Sequence, residues 1–458
     1  MLKKILFSPL TLFIGCAFLV TSWPFFFYPL TDGDIIHWVK IAQDIRLNGH
    51  FFTGAHDQAH GPLLAWTAGL FSQLLPTSFY LLALFNILCG LWGVALTYFF
   101  SLAFWKNAPL AKLCTVIFST SLVYVYLSRT PMYDWPAAVF YFGFCGFYCL
   151  SILQQKKRYF FLALLHVALS SLTRFSIAIG LSELFMGLSL LIFYKNKTLS
   201  FKTFLKNGIL HGASIFLVAL IVNLPWLLGH YLTLGPDFLY EFIYDNVGRY
   251  IQEPGNSVVH RDYYGFLAYA LLGILPYSMC LIAAVCQKDF WARVKTDTLS
   301  HLMLAAWVPC LLFFSFSGHV KLARYVAYIF PPLLLFLSFH LYHDLKRPAF
   351  IRLCKRITLG LCGILAILLI NQAFHFDKEA LESLPLVGGC IGLVFGLLGL
   401  TYFHLFTRTD TFLSHPERSL WGFATVYLTF FSILTYESLH SPFLVIIRHT
   451  LLEIILAQ

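Results

Sequence analysis

The chain has 458 residues, of which 59% are hydrophobic and 11% are charged, and its mean hydropathy is +0.76. Soluble domains contain about 25% charged residues, so this composition excludes a soluble protein and indicates a helical membrane domain with many spans. The net charge of +10 does not indicate nucleic-acid binding, because the basic residues fall in short clusters between apolar runs.

The chain begins with a predicted membrane span behind a basic N-terminus. An apolar run covers about residues 8–28 and follows Lys3 and Lys4. It is longer than the apolar core of a cleaved signal peptide, so we interpret it as an uncleaved first span whose N-terminus is cytoplasmic. Directly after it, residues 34–48 place apolar side chains at helical spacing and end at Gly49. This pattern predicts an amphipathic helix in the membrane interface.

Further apolar runs bring the predicted total to thirteen spans. These runs cover residues 78–104, 109–128, 135–154, 159–172, 175–194, 205–228, 264–286, 301–316, 322–341, 357–373, 384–406 and 420–436. Residues 443–456 are interrupted by Arg448 and Glu453 and predict an interfacial helix. The predicted fold class is therefore an all-α polytopic membrane protein, with about 13 transmembrane helices and external interfacial helices in its first loop.

Alternating the spans from a cytoplasmic N-terminus gives the orientation of the loops. The cytoplasmic side receives 21 of the 31 Lys and Arg residues, which is a clear positive-inside bias. The polar loops at residues 31–66, 129–134, 229–263 and 317–324 then share the opposite face. The sequence contains neither a GxxxxGKS/T motif nor a GxGxxG motif after a strand-like run. Direct use of cytoplasmic nucleotide-sugars or ATP is therefore not expected.

The first external loop concentrates ionisable residues that lipid would not tolerate. Asp32 and Asp34 follow the first span, and either carboxylate could act as a general base or bind an ion. Asp34 is equally well placed to be the N-cap of the helix that follows. One aspartate can fill both roles, so both interpretations stay open.

His56, Asp57 and His60 in the same loop resemble part of a metal site. HxxxH spacing brings two histidines to one face only on a helix, whereas HDQAHGP between Gly54 and Pro62 predicts a loop. A hydrogen-bonding or phosphate-contacting role for His60 is therefore favoured over metal binding. No cofactor is firmly predicted, and a divalent metal remains an alternative. None of the 11 cysteines pairs into CxxC, so we expect inert thiols.

Asp134 stands at the start of a predicted span on the external face. It is either a second carboxylate of a site or a helix cap with Pro136 in the first turn. Arg174 lies between two predicted spans and Glu183 lies inside one. Ionisable residues within the membrane are functional or paired. The alternative to a functional role is that Arg174 and Glu183 pair with each other or cap the bundle.

Cations and aromatic residues are mixed in two later external loops. Arg249 and Arg261 lie in the first of these loops, and Lys321 and Arg324 lie in the second. Arg and Lys near the interface are good ligands for phosphate. Snorkelling anchors are the alternative. Because four cations converge on the acidic face, the pattern favours an anionic ligand.

The order of these motifs resembles the polytopic GT-C glycosyltransferases that use polyprenyl-phosphate sugars, the aminoarabinose lipid A transferase and protein mannosyltransferase-like group. The matching segments are DIIHWVKIAQDI from Asp34, HGPLLAW from His60, YDWP from Tyr133, HRDYYGF from His260 and SGHVKLARY from Ser317. The chain departs from the family pattern at His60, where the family has a phosphate-contacting lysine, and at Ala59, where it has an acidic residue.

The resemblance implies a catalytic membrane region over residues 1–343, with external loops at 29–77 and 229–263. C-terminal transmembrane helices without a large soluble domain would occupy residues 344–458. The expected reaction is inverting transfer of a sugar from a polyprenyl-phosphate carrier to lipid A, another envelope glycan or a protein. The expected location is the inner membrane, with the active site facing the periplasm.

In this interpretation Asp34 or Asp32 deprotonates the acceptor, and Asp134 orients the acceptor or the donor. The departing phosphate is stabilised by cations from several loops. These cations are Arg261, Lys321, Arg324, His60 and Arg249. The main alternative is a transporter or flippase of lipid-linked saccharides, which would use the same charged cavity without cleaving a bond. A membrane scaffold whose loops bind a protein partner is disfavoured by the order of the acidic and basic motifs.

Overall fold

The structure is a computed structural model that describes residues 33–50, 61–73, 79–128, 130, 132–248, 265–275, 277–316, 323–354, 356–358 and 360. These ranges are helical and contain no strand. The helices are α1 (Gly33–Asn48), α2 (Leu63–Phe71), α3 (Phe79–Trp105), α4 (Ala108–Ser119), α5 (Leu122–Leu127), α6 (Asp134–Gln154), α7 (Lys157–Ser171), α8 (Phe175–Lys195), α9 (Phe201–Leu234), α10 (Pro236–Ile243), α11 (Gly265–Gly273), α12 (Ser278–Val285), α13 (Lys288–Thr296), α14 (Thr298–Phe316) and α15 (Phe330–Asp344). A π-helical turn covers Tyr244–Gly248, and a 3₁₀ helix covers Ala323–Ile329.

Several of these helices are long and apolar enough to cross a membrane. Within the described residues there are five, in α3, α6, α8, α9 and α14, and a sixth if α11 and α12 form one bent span. The predicted all-α polytopic membrane fold is confirmed. The total of thirteen spans stays a prediction, because the runs at residues 8–28, 384–406 and 420–436 and most of 357–373 lie outside the described residues. The division of the chain after residue 343 also stays a prediction.

Three predicted spans are not single α-helices. The run at 109–128 is divided into α4 and α5, where Ser121 caps α5 by accepting a hydrogen bond from the backbone N–H of Tyr124. The run at 264–286 is divided into α11 and α12, which are bent by 113°. Its Pro276 has no backbone donor, which favours the break. The run at 322–341 begins as the 3₁₀ helix and becomes α15 where two prolines enter its first turn.

Helix α6 is the centre of the bundle. Of the most apolar 18 consecutive residues of α6, 94% are buried. In the corresponding part of α9 only 22% of the residues are buried, which leaves α9 to face lipid. Two glycines allow neighbouring helices to approach α6 closely. A side chain at Gly143 would collide with His166 of α7, and one at Gly146 would collide with Phe100 of α3. The residue that begins α6, Asp134, is therefore held in place by close packing along the helix.

The predicted amphipathic helix of the first loop is confirmed as α1. The backbone of Gly49 has φ +69°, a left-handed conformation that suits glycine, and its N–H donates to the Ile45 carbonyl at 3.0 Å. The apolar side of α1, including Ile45, packs on α2 and on Met132 and Tyr133, which precede α6. The helix that carries Asp34 therefore buries its apolar side against protein and belongs to the same cluster as the start of α6.

Ion pairs and a hydrogen bond join helices at the predicted cytoplasmic face. Arg293 of α13 contacts both carboxylate oxygens of Asp344 at 2.6 Å, and Arg347 contacts Asp289 at 2.6 Å. Asn196 donates to the Thr298 hydroxyl at 2.9 Å and thereby joins the end of α8 to the start of α14. The basic residues of the predicted cytoplasmic face therefore also join helices to one another.

The orientation can be tested with two single cysteines in a background where Cys286, the exposed one among the described cysteines, is serine. Asn256 lies outside the described residues, in the predicted external loop at 229–263. Asn256→Cys is expected to react with an impermeant maleimide on intact cells. Lys202→Cys, exposed at the start of α9, is expected to react only after the membrane is opened. The opposite labelling pattern would invert the topology.

Candidate functional site

Residues 172–174 connect α7 to α8, and we call these residues together with 175–176, the first two of α8, the α7–α8 turn. The Thr173 hydroxyl donates to the Ser170 carbonyl at 2.6 Å, and the Arg174 N–H donates to the same carbonyl at 2.8 Å. Both bonds continue the end of α7 and fix the backbone of the turn. Four segments that carry or adjoin predicted site residues contact this turn.

The first of these segments begins directly after His60. The backbone N–H of Gly61 donates to the Thr173 carbonyl at 3.2 Å, and the N–H of Leu63 donates to the Leu172 carbonyl at 2.9 Å. A Cβ atom at Gly61 would overlap the Leu172 carbonyl, so the close approach of the two backbones requires glycine. Residues 61–63, which directly follow His60 in the family pattern, are thus docked on the α7–α8 turn.

The second segment is the start of α6, which meets the turn through a buried ion pair. The Nε of Arg174 lies 3.3 Å from Oδ1 of Asp134, and the two side chains are 5% and 1% exposed. The Nη2 of Arg174 donates to the Tyr133 hydroxyl at 2.9 Å. The interpretation of Asp134 as a helix cap is wrong, because the cap position of α6 is Tyr133 and Asp134 pairs with Arg174.

The backbone ahead of α6 is held from α3. The amide nitrogen of Asn86 donates to the Met132 carbonyl at 2.7 Å and to the Thr130 carbonyl. Asn86 is fully buried, where polar groups need hydrogen-bond partners. Its two amide hydrogens find them in these carbonyls, and the bonds fix the chain that leads into Asp134.

The third segment is the π-helical turn at Tyr244–Gly248, which ends immediately before Arg249. The Ser176 hydroxyl of the α7–α8 turn donates to Oδ1 of Asn246 at 3.1 Å. The Nδ2 of Asn246 donates to the Phe242 carbonyl at 3.0 Å, which orients its amide. The loop that carries Arg249 and Arg261 is therefore attached to the turn at its first residues.

The fourth segment is the 3₁₀ helix that carries Arg324. The guanidinium carbon of Arg174 lies 5.0 Å from the ring centroid of Tyr325 and 4.5 Å from that of Tyr133. Both distances suit cation–π attraction. The ring of Tyr325 also stacks on Phe314 of α14 at 5.8 Å between centroids. The segment predicted to bind phosphate is thereby joined to the same turn.

The predicted site residues divide into three groups. Asp134 is described in full and lies in the ion pair. Asp34 lies in α1 and Arg324 in the 3₁₀ helix, but their side chains lie outside the described part of the chain. The remaining ones lie outside the described residues altogether, namely Asp32, His56, Asp57, His60, Arg249, Arg261 and Lys321. The roles of these residues stay predictions.

The alternative in which Arg174 pairs with Glu183 is wrong, because Arg174 pairs with Asp134. Glu183 lies about two turns into α8, where its carboxylate faces Gly212 of α9. Local sequence did not reveal the ion pair, since its members are 40 positions apart. The signal available in the sequence was an arginine between two apolar runs.

No group of three or more His, Cys, Asp or Glu residues that could hold a metal ion is present in the described ranges. The weak metal candidates His56, Asp57 and His60 lie outside those ranges. A divalent metal therefore stays an untested alternative. The eight cysteines of the described part are free, and seven of them are buried.

The fold matches that of solved membrane glycosyltransferases. The structure of ArnT from Cupriavidus metallidurans bound to undecaprenyl phosphate superposes with a TM-score of 0.69 at 15% identity, covering 93% of this chain and 76% of that one. The oligosaccharyltransferase of Archaeoglobus fulgidus in its apo form matches with a TM-score of 0.50 at 12% identity, covering 75% of this chain and 51% of that one. The chain has the GT-C fold. The resemblance predicted from the motifs is confirmed.

Curated relatives match in sequence over part of their length. An undecaprenyl phosphate-alpha-4-amino-4-deoxy-L-arabinose arabinosyl transferase of Shewanella sediminis is 30% identical over 128 residues, which are 28% of this chain and 22% of the relative. The enzyme of that name from Pectobacterium carotovorum is 23% identical over 246 residues, 53% of this chain and 42% of the relative. The GT-C chain thus spans less than half the length of these relatives. No family model matches.

The docking of the first segment can be tested by Gly61→Ala. The added methyl group would overlap the Leu172 carbonyl, so we expect a loss of about 1–3 kcal/mol, the usual range for overpacking. Gly208→Ala in α9 is the matched control, because its Cβ would meet nothing within 4 Å. Thermal unfolding of the purified proteins in detergent measures both. An unchanged midpoint for Gly61→Ala would contradict the backbone contact.

Proposed function

We propose that this chain is a membrane glycosyltransferase that moves a sugar from a polyprenyl-phosphate carrier to an acceptor at the non-cytoplasmic face of the bacterial inner membrane. The observation that carries the proposal is the attachment of four segments to the α7–α8 turn. Those segments carry Asp134 and Arg324 and adjoin His60 and Arg249 of the GT-C pattern, although they are far apart in the sequence. Helix α1, which carries Asp34, packs on Met132 and Tyr133 ahead of the second segment.

The solved structure and the curated relatives support a lipid-linked donor. ArnT was solved with undecaprenyl phosphate bound, and the relatives are named for transfer from an undecaprenyl-phosphate sugar. The proposed donor is therefore an undecaprenyl-phosphate-linked sugar. The proposed acceptor is a glycolipid such as lipid A, with another envelope glycan or a protein as alternatives.

The reaction requires a base and a group that stabilises a phosphate. Asp34 or Asp32 takes the proton of the acceptor hydroxyl while its oxygen attacks the anomeric carbon of the sugar. The bond from that carbon to the phosphate oxygen breaks, and polyprenyl phosphate leaves with the electron pair. One displacement inverts the anomeric configuration. Because the phosphate already activates the sugar, no nucleotide takes part.

The leaving phosphate gains negative charge as the bond breaks, so cations placed around it lower the barrier. The proposed cations are Arg261, Lys321, Arg324, His60 and Arg249. Arg324 lies in the 3₁₀ helix, and Lys321 precedes that helix in the sequence. His60 directly precedes the first segment, and Arg249 and Arg261 follow the π-helical turn in the sequence. Asp134 would orient the donor or the acceptor from its place beside Arg174.

Turnover of labelled donor tests the proposal. The purified protein in lipid vesicles is expected to transfer label from undecaprenyl-phosphate aminoarabinose to lipid A. Asp34→Asn is expected to lower the rate by about 100-fold or more, since a positioned general base contributes about 10²–10⁴-fold. Asp237→Asn, exposed in the first turn of α10, is the matched control and is expected to leave the rate unchanged.

Two outcomes would contradict parts of this account. Near-normal turnover by Asp34→Asn would remove Asp34 as the base and direct the test to Asp32. Movement of intact donor between leaflets, without any cleavage of the sugar–phosphate bond, would replace the transferase with a flippase. The second outcome would leave the fold unaffected.

A further inference from the structure

We propose that Arg174 is a positioning residue that fixes the acidic part of the active site relative to its phosphate-binding part. This inference rests on the proposed function. The acidic part is the start of α6 with Asp134, together with the packed helix α1. The phosphate-binding part is the 3₁₀ helix at Ala323–Ile329, which carries Arg324. Arg174 touches both parts from the α7–α8 turn.

The contacts of Arg174 come from two elements that are distant in sequence. At the start of α6, the Nε of Arg174 lies 3.3 Å from Oδ1 of Asp134, and its Nη2 donates to the Tyr133 hydroxyl at 2.9 Å. In the 3₁₀ helix, the ring centroid of Tyr325 lies 5.0 Å from the guanidinium carbon of Arg174. The side chain is 5% exposed, so water screens these interactions little.

These contacts require the shape of arginine. A guanidinium group is planar, presents donors along its edge and lets aromatic rings stack on its faces. Arg174 uses its edge for Asp134 and Tyr133 and lies within stacking distance of two rings. A lysine ammonium is a compact charge and could not satisfy the carboxylate and both rings from one position.

Fold stability alone is a weak explanation for this arrangement. A buried ion pair often adds little net stability relative to apolar residues of the same volume, because both charges lose their hydration. Tyr325 directly follows Arg324, so a shift of its ring moves the backbone of a proposed phosphate ligand. Apolar residues could not hold the carboxylate of Asp134 at a fixed distance from the backbone beside Arg324, whereas Arg174 contacts both elements.

The role predicts a distinctive pattern in donor kinetics. Asp134→Asn is expected to lower kcat with little change in donor KM, and Tyr325→Leu is expected to raise donor KM with a smaller change in kcat. Arg174→Lys keeps the positive charge but loses the planar guanidinium group and its several donors. It is expected to lower kcat about tenfold or more and also to weaken binding of undecaprenyl phosphate several-fold, since a lost contact to a charged group has effects of that order.

The matched control is Arg158→Lys. Arg158 also lies over a tyrosine ring, that of Tyr159 at 4.9 Å, but it is exposed at the opposite end of α7. Its replacement by lysine is expected to leave kcat, donor KM and thermal stability unchanged. A general sensitivity of the protein to losing an arginine–tyrosine contact would appear in this variant as well.

If Arg174→Lys does not fold, the double variant Asp134→Asn with Arg174→Gln removes both charges and keeps hydrogen-bonding groups. A folded double variant with the same kcat and donor KM as Asp134→Asn would show that Arg174 only compensates the charge of Asp134, and would overturn the inference. A folded double variant whose donor KM is several-fold above that of Asp134→Asn supports it. Wild-type kinetics in Arg174→Lys would also overturn it while leaving the proposed function intact. If the wild type neither transfers sugar nor binds undecaprenyl phosphate, the proposed function falls, and this role of Arg174 falls with it.

Discussion

The buried ion pair between Asp134 and Arg174 is the interaction on which the arrangement of the outer segments depends. Removing one member of such a pair leaves an uncompensated charge and costs about 3–5 kcal/mol. The start of α6 and the α7–α8 turn are therefore held together wherever the protein is folded. The 61–63 segment, the π-helical turn and the 3₁₀ helix all attach within two residues of Arg174 or to Arg174 itself.

This arrangement suits a transfer reaction at a membrane surface. In the proposed reaction a base and a phosphate site must stay a fixed distance apart, and the segments proposed to carry them come from different helices. Rigid positioning of this kind supplies much of the rate in reactions that join two substrates. Here α6 is buried along most of its length, Asn86 fixes the chain ahead of it, and Gly61 lets a second loop approach the turn. The closely packed bundle thereby holds the described segments that attach to the α7–α8 turn.

Much of the fold could be predicted from the sequence, because apolar runs and their flanking charges determine where helices cross a membrane. The helices α3, α6, α8 and α14 lie close to the predicted runs. The breaks at Ser121 and between α11 and α12 were missed, because an apolar run has the same hydrophobic pattern whether lipid or protein surrounds it. The partner of Arg174 was also missed, because no local pattern distinguishes Asp134 from Glu183 as its counter-charge.

A structure determined by electron cryomicroscopy with undecaprenyl phosphate bound tests the central claim most directly. The account predicts that the phosphate contacts at least two of Arg261, Lys321 and Arg324, on the face of the bundle where the α7–α8 turn lies. It also predicts that Arg174 keeps its contacts with Asp134 and Tyr325 in that complex. A phosphate bound at the opposite face, near α13 and the end of α15, would contradict the account.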